Sequence, residues 1–107
     1  MWTSLCELTD LRQDVGKYVE IGGFQLAVFL HGGQVYALDN RCPHAGANLA
    51  GGTITEGCVV CPRHSWTFRL SDGQLRDTPG VSVVTYPTRQ LEREDKSTLV
   101  QADLPMY

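Results

Sequence analysis

The chain has 107 residues, 42% of them hydrophobic and 20% charged, with a net charge of −3 when the histidines are neutral. That length suits one domain with a single modest core. The mildly acidic charge, with no cluster of Lys and Arg, excludes a nucleic-acid binder, which needs a basic face.

No stretch is apolar for long enough to span a membrane. Residues 1–7 lack the basic start and the apolar run of a secretion signal. A reducing cytoplasm is therefore the expected setting, and Cys6, Cys42, Cys58 and Cys61 are not expected to form a disulfide framework.

The predicted elements are short strands separated by glycine turns. Leu5 to Leu11 reads as an opening strand running into a turn. Lys17 to Ile21 is a short strand broken by Gly22-Gly23. Phe24 to Leu30 starts with alternation and becomes continuously apolar, as a buried strand does. His31-Gly32-Gly33-Gln34 is a hairpin turn, and Val35 to Leu38 returns from it. Gly51-Gly52-Thr53-Ile54 and Glu56-Gly57 read as turns. Cys58 to Cys61 and Trp66 to Leu70 read as strands, with Ser71-Asp72-Gly73-Gln74 turning the second back. Val81 to Tyr86 has β composition, and Pro87 marks an edge or a strand end. Glu92 to Lys96 is a solvated turn, Ser97 to Ala102 a last strand, and Asp103 to Tyr107 a tail. Almost no helical periodicity is present. The expected class is all-β, an antiparallel sandwich or barrel.

The middle of the chain carries the chemistry. Cys42-Pro43-His44 is followed, after sixteen residues, by Cys61-Pro62-Arg63-His64. Each loop opens with Cys-Pro and closes with His, and the chain has only three histidines in all. Thiolate and imidazole are the side chains that hold soft and borderline metals. Each proline fixes its own φ and removes a donor, which stiffens the loop beside its cysteine. Gly46 lets backbone pass close to a bound metal.

Here the sequence resembles the Rieske family of iron–sulfur proteins, whose pattern is Cys-x-His, a spacer of this order, then Cys-x-x-His. The resemblance runs from about residue 15 to 87. It takes in Val35-Tyr36-Ala37-Leu38-Asp39-Asn40 before the first loop and Trp66-Thr67-Phe68-Arg69-Leu70-Ser71-Asp72-Gly73 after the second. It implies one [2Fe–2S] cluster, with Cys42 and Cys61 on one iron and His44 and His64 on the other. It also implies a Rieske-like fold over residues 1–107, with a small cluster-binding subdomain over about 40–68 on a basal β part of about 1–39 and 69–107. Two thiolates leave the oxidised centre uncharged, where four would leave it doubly negative, so mixed ligation raises the potential.

Departures from the family place the chain within it. The cytochrome bc branch has an extra, disulfide-bonded cysteine in each loop, and here Ala47 and Arg63 stand at those places. The same branch has a serine that hydrogen-bonds to the cluster, where this chain has Trp66. Fewer donors imply a lower potential. The chain thus resembles the low-potential branch, the ferredoxins of bacterial dioxygenases and the small subunit of nitrite reductase. Ser65 stands where many relatives have Gly.

Plainer readings sit beside these. A Cys₂His₂ set also suits zinc, which would staple the fold with no redox role. Cys58-x-x-Cys61 has zinc or thiol-redox spacing, but Cys58 lies in a predicted strand and is read, like Cys6, as packing. His31 reads as a solvated turn residue and Trp66 as core packing. Arg63 is either solvated or part of a docking surface.

Once His44 and His64 are used, only His31 remains, so the chain cannot also hold a mononuclear iron of the two-His, one-carboxylate kind. It has no strand–GxGxxG–helix unit for a nicotinamide or flavin nucleotide. The expected function is therefore that of a one-electron carrier and not an enzyme in itself. It would pass electrons from an NAD(P)H-dependent reductase to a terminal oxygenase or similar acceptor. The alternatives are the small subunit of an NAD(P)H-dependent nitrite reductase and a zinc-stapled interaction module.

Overall fold

The computed structural model describes residues 1–43, 46–63, 65–78 and 80–106. The strands are β1 (Trp2–Glu7), β2 (Lys17–Ile21), β3 (Phe24–His31), β4 (Gln34–Asp39), β5 (Thr53–Thr55), β6 (Cys58–Val60), β7 (Thr67–Arg69), β8 (Thr85–Tyr86), β9 (Thr88–Glu92) and β10 (Thr98–Asp103). Short 3₁₀ turns at Leu8–Asp10 and Leu49–Gly51 are the remaining regular elements, and no α-helix occurs among the described residues. The all-β expectation holds. No helix of the described residues is long and apolar enough to cross a membrane.

The strands form three antiparallel sheets, ordered β1-β10-β9, β2-β3-β4-β8 and β5-β6-β7. The four-stranded sheet lies between the other two. Side chains alternate across a strand, and β3 sends Ala27 and Phe29 into one core cluster and Leu26 and Val28 into another. In β4, Leu38 joins the first cluster, and Val35 and Ala37 the second. The first cluster is completed by Val59 of β6 and Phe68 of β7, the second by Val100 and Ala102 of β10. Both faces of the central sheet are therefore covered. This is why β3 is apolar at consecutive positions, as a strand buried on both sides must be.

The β3–β4 hairpin closes on Gly32-Gly33, at φ 59 and 79, between the paired residues His31 and Gln34. Two successive positive φ values make the type I′ turn that matches strand twist. Gly16 has a different duty. An added Cβ there would lie 2.2 Å from the Ala50 carbonyl oxygen and 2.8 Å from Phe29 Cε1. The chain before β2 thus passes flat against the 3₁₀ turn that follows the first Cys-Pro loop.

Four expectations are corrected. The opening strand begins earlier than Leu5, at Trp2, and ends at Glu7 before the turn Leu8–Asp10. Thr53-Ile54 is strand, paired with Val60 and Val59. Of the segment Val81 to Tyr86, only Thr85–Tyr86 is in a sheet. The Val83 N–H donates to Gly73 O, and Leu75 N–H donates to Val81 O, so those backbone groups make only the isolated antiparallel bridge of Gln74 with Ser82. Finally, β9 has no counterpart among the predicted strands; it exists because β10 pairs with it along its length.

Candidate metal centre

The two Cys-Pro loops share one backbone design. The first, residues 42–47, is closed by the antiparallel bridge between Arg41 and Asn48. The second, residues 61–66, is closed by the Val60–Thr67 pair of the β6–β7 hairpin. In the first, Cys42 N–H donates to Ala47 O at 2.9 Å and Gly46 N–H to Cys42 O at 2.8 Å. In the second, Cys61 N–H donates to Trp66 O at 2.7 Å and Ser65 N–H to Cys61 O at 3.1 Å. Each cysteine thus has both backbone groups tied across its own loop, four and five residues on.

The matching extends to the dihedrals. Gly46 has φ 66 and Ser65, at the same loop position, φ 58. Glycine takes this left-handed region at no steric cost, and serine does not. The oddity of Ser65 is therefore a strained residue in a loop whose hydrogen bonds demand that conformation.

Asn40 anchors the base of the first loop, and sequence reasoning missed it. It is 6% exposed. Its Oδ1 accepts from Ala50 N–H at 2.8 Å, its backbone N–H donates to Gln25 O and its carbonyl accepts from Leu49 N–H. A buried polar side chain is stable only when so satisfied. The available signal was an Asn between an apolar strand and the Cys-Pro turn.

Cys42 and Cys61 are 2% and 1% exposed and belong to the same core cluster, which the structure builds from both loops, β3, β6 and β7. Pro43, Pro62 and Arg63 are exposed. The cysteines thus sit at the buried base of loops whose next residues face solvent. His44 and His64 lie outside the described residues. Among the described residues, which include all four cysteines, no disulfide forms, and Ala47 packs in the same cluster as the two cysteines.

Cys58 is separate. It is 4% exposed but not part of that cluster, whereas its strand neighbour Val59 is. Its thiol points back towards Glu56 O, 3.8 Å away. Burial pushes its pKa above the usual thiol value, the carboxylates of Glu56 and Asp72 add to this, and Arg76 and Arg69 oppose it. Cys6 is also raised, by burial first and then by Asp10. These are protonated packing thiols at neutral pH, as the plainer reading of the sequence had them.

Two open clefts flank the loops. One, of about 350 Å³, is lined by Asp39, Arg41, Cys42, Pro43, Gly46 and residues 82–84. The other, of about 260 Å³, runs past Ser65, Trp66 and Thr67 to Leu75, Asp77 and Val81. Trp66 packs against the core cluster, its ring 6.4 Å from that of Phe68. His31 is held at the far hairpin by Asp14, with 2.6 Å between Nδ1 and Oδ1.

The donor set therefore consists of two buried thiols in matched loops, each loop also carrying a histidine in its sequence. That chemistry fits a centre with mixed nitrogen and sulfur ligation.

Comparison with known proteins bears on this. The family model of the Rieske [2Fe-2S] domain matches residues 1–87. Cholesterol 7-desaturase of Hemicentrotus pulcherrimus is 39% identical over 80 residues, covering 73% of this chain but 17% of that protein. The chain thus spans about a sixth of the length of such curated relatives. The solved structure of the Sphingomonas yanoikuyae B1 ferredoxin is 27% identical, covers 98% of this chain and 100% of its own, and has a TM-score of 0.82. A protein described as the small subunit of an NADH-dependent nitrite reductase from Mycobacterium tuberculosis is 30% identical, covers 94% of both chains, and has a TM-score of 0.81.

Proposed function

The chain belongs to the Rieske [2Fe-2S] domain family, and on that premise we propose that it is a one-electron carrier between an NAD(P)H-dependent reductase and a terminal oxygenase or similar acceptor. When bound, a [2Fe–2S] cluster takes up and returns a single electron. We assign Cys42 and Cys61 to one iron and His44 and His64 to the other, in a cluster-binding subdomain of about residues 40–68 on a basal part of about 1–39 and 69–107. The observation that carries this reading is the equivalence of the loops. Two cysteines stand at the same place in the same hydrogen-bonded frame, buried in one cluster, with exposed residues directly after each.

The protein's own residues have definable tasks in this reading. Pro43 and Pro62 hold each loop's first turn rigid. The cross-loop bonds of Cys42 and Cys61 tie each cysteine's backbone in place and would hold both thiolates at a bound cluster. His44 and His64 would each offer a second ring nitrogen able to hold a proton beside a bound cluster. Trp66 and Phe68 keep water from the inner side of the site. Ala47 and Arg63 in place of an extra cysteine in each loop, and Trp66 in place of a serine donor, support a potential in the low range of the family.

The acceptor and donor are separate polypeptides or separate domains, since the sequence holds neither a nucleotide-binding motif nor a second iron site. We place the carrier in the cytoplasm. A second reading, permanent subunit of a nitrite reductase, is favoured by the near end-to-end match to the Mycobacterium tuberculosis protein.

Anaerobic preparation followed by metal and acid-labile sulfide analysis and a reductive titration tests the proposal. Two irons, two sulfides and one electron per chain are expected. A colourless protein with one zinc and no electron uptake would refute it in favour of a stapled interaction module.

A further inference from the structure

The rim around the two loops is positive on a chain whose net charge is −3. No carboxylate side chain occurs between Asp39 and Glu56, or between Glu56 and Asp72. Arg41 and Arg63 are the only charged residues in the loops and the pairs that close them. Arg41 stands 3.7 Å from Asp39, which offsets its charge. Arg63 is exposed at the tip of the second loop and has no ion pair among the described residues. Asp77, beside the cleft at Ser65, is matched by Arg76 at 3.7 Å. The sign of the rim therefore rests on Arg63. On the side of the first loop, the exposed Pro43 and Val84, the latter 56% exposed, line one cleft together.

The excess negative charge lies elsewhere. The layer of the β1-β10-β9 sheet, on the other side of the central sheet, carries Glu7, Asp10, Glu92, Glu94, Asp95 and Asp103 against Arg89, Arg93 and Lys96. The molecule extends 44 Å along its longest axis, and charges are screened over about 10 Å at 0.1 M salt. A docked partner at the loops feels the local sign, not the total.

Resting on the electron-carrier reading above, we propose that the loop rim docks a redox protein whose contact surface is edged with carboxylates, and that Arg63 determines this choice. Arginine suits the role, because its guanidinium binds a carboxylate through two parallel hydrogen bonds. A partner with a lysine-edged surface, which the net charge alone would suggest, is disfavoured by like-charge contact.

The test is stopped-flow oxidation of the dithionite-reduced, cluster-loaded protein by ferricyanide, a trianion, and by tris(phenanthroline)cobalt(III), a trication. Each accepts one electron from the protein and becomes ferrocyanide or the cobalt(II) complex. Raising salt from about 10 mM to about 500 mM should slow the ferricyanide reaction and speed the cobalt reaction. Arg63→Glu should cut the low-salt ratio of the two rates on the order of tenfold, and Arg63→Lys should keep most of it. Polyglutamate should slow ferricyanide oxidation of the native protein, and polylysine should not. An unchanged reduced-state magnetic resonance spectrum in Arg63→Glu separates charge from damage to the loop. Ferricyanide oxidation that speeds up with salt, a rate ratio insensitive to Arg63→Glu, or indifference to polyglutamate would each overturn the proposal. A chain that takes up no electron overturns the carrier reading and this one with it.

Discussion

Gly46 and Ser65 hold the same place in two loops of one design, so exchanging their residue types tests that design directly. Ser65 at φ 58 carries the penalty of an L-residue in the left-handed region, about 1–2 kcal/mol. Replacing it by Gly removes that penalty but adds about 0.4–1 kcal/mol of unfolded-chain entropy. Ser65→Gly should therefore stabilise by roughly 0.5–1 kcal/mol. Gly46→Ala runs the same sum backwards. An added Cβ there meets no atom of the described residues within 4 Å, so among those residues the cost is that of backbone conformation, a loss of roughly 0.5–1 kcal/mol. The assay is anaerobic urea unfolding followed by circular dichroism. With a slope of about 1.5 kcal/mol per molar, the midpoint should rise by about 0.3–0.7 M in Ser65→Gly and fall by as much in Gly46→Ala. Ser65→Ala keeps a Cβ and should leave the midpoint near the native value, which isolates the backbone effect from the hydroxyl. If Ser65→Gly unfolds at or below the native midpoint while Gly46→Ala is neutral, the two loops are not held in a common strained frame.

Other outcomes follow from the packing. Gly16→Ala must displace the Ala50 carbonyl or the Phe29 ring. It should cost about 1–3 kcal/mol in the same unfolding assay, the usual range for overpacking. Phe29→Ala, at a fully buried position shared by the central sheet and the loop layer, should cost about 3–5 kcal/mol and hasten loss of visible colour on warming. Cys58→Ala should leave the visible spectrum intact, since that thiol faces Glu56 and not the cluster of Cys42 and Cys61. The raised pKa of Cys58 also predicts a sign. Its protonated form is favoured by the fold, so its contribution is fully present below the ordinary thiol value of 9.0 and is lost as pH climbs from there through the raised folded value. Unfolding midpoints of native protein and Cys58→Ala between about pH 8 and 10.5 should therefore converge as pH rises.

What the sequence disclosed depended on how each residue is used. The buried strand β3 was legible because both its faces are covered and its apolar run is unbroken. The β3–β4 hairpin was legible because Gly-Gly is one of the few pairs that make that turn cheaply. By contrast, Thr88–Glu92 is mostly exposed. Its strand character comes from pairing with β10, a long-range fact with no local pattern. Val81 to Val84 shows the converse error. Its β-branched residues look like strand, but Val81 and Val83 spend backbone groups on one isolated antiparallel bridge, Gln74 with Ser82, and not on a sheet. At the site, Cys-Pro recurrence revealed that two loops correspond. It did not reveal that Gly46 and Ser65 donate to the same cysteine carbonyl of their loops at the same left-handed φ. Asn40 escaped notice for a related reason, since its partners Gln25, Leu49 and Ala50 come together only in the fold.

The central claim is that Cys42, His44, Cys61 and His64 jointly hold a [2Fe–2S] cluster that carries one electron. Electron paramagnetic resonance of the dithionite-reduced protein, beside the His44→Cys and His64→Cys variants, tests it most directly. The account predicts a rhombic signal with an average g below the free-electron value. In each variant that signal should be lost, or should persist in altered form with a strongly lowered midpoint potential. A native protein silent after reduction, or variants whose spectrum and potential match the native protein's, would contradict it.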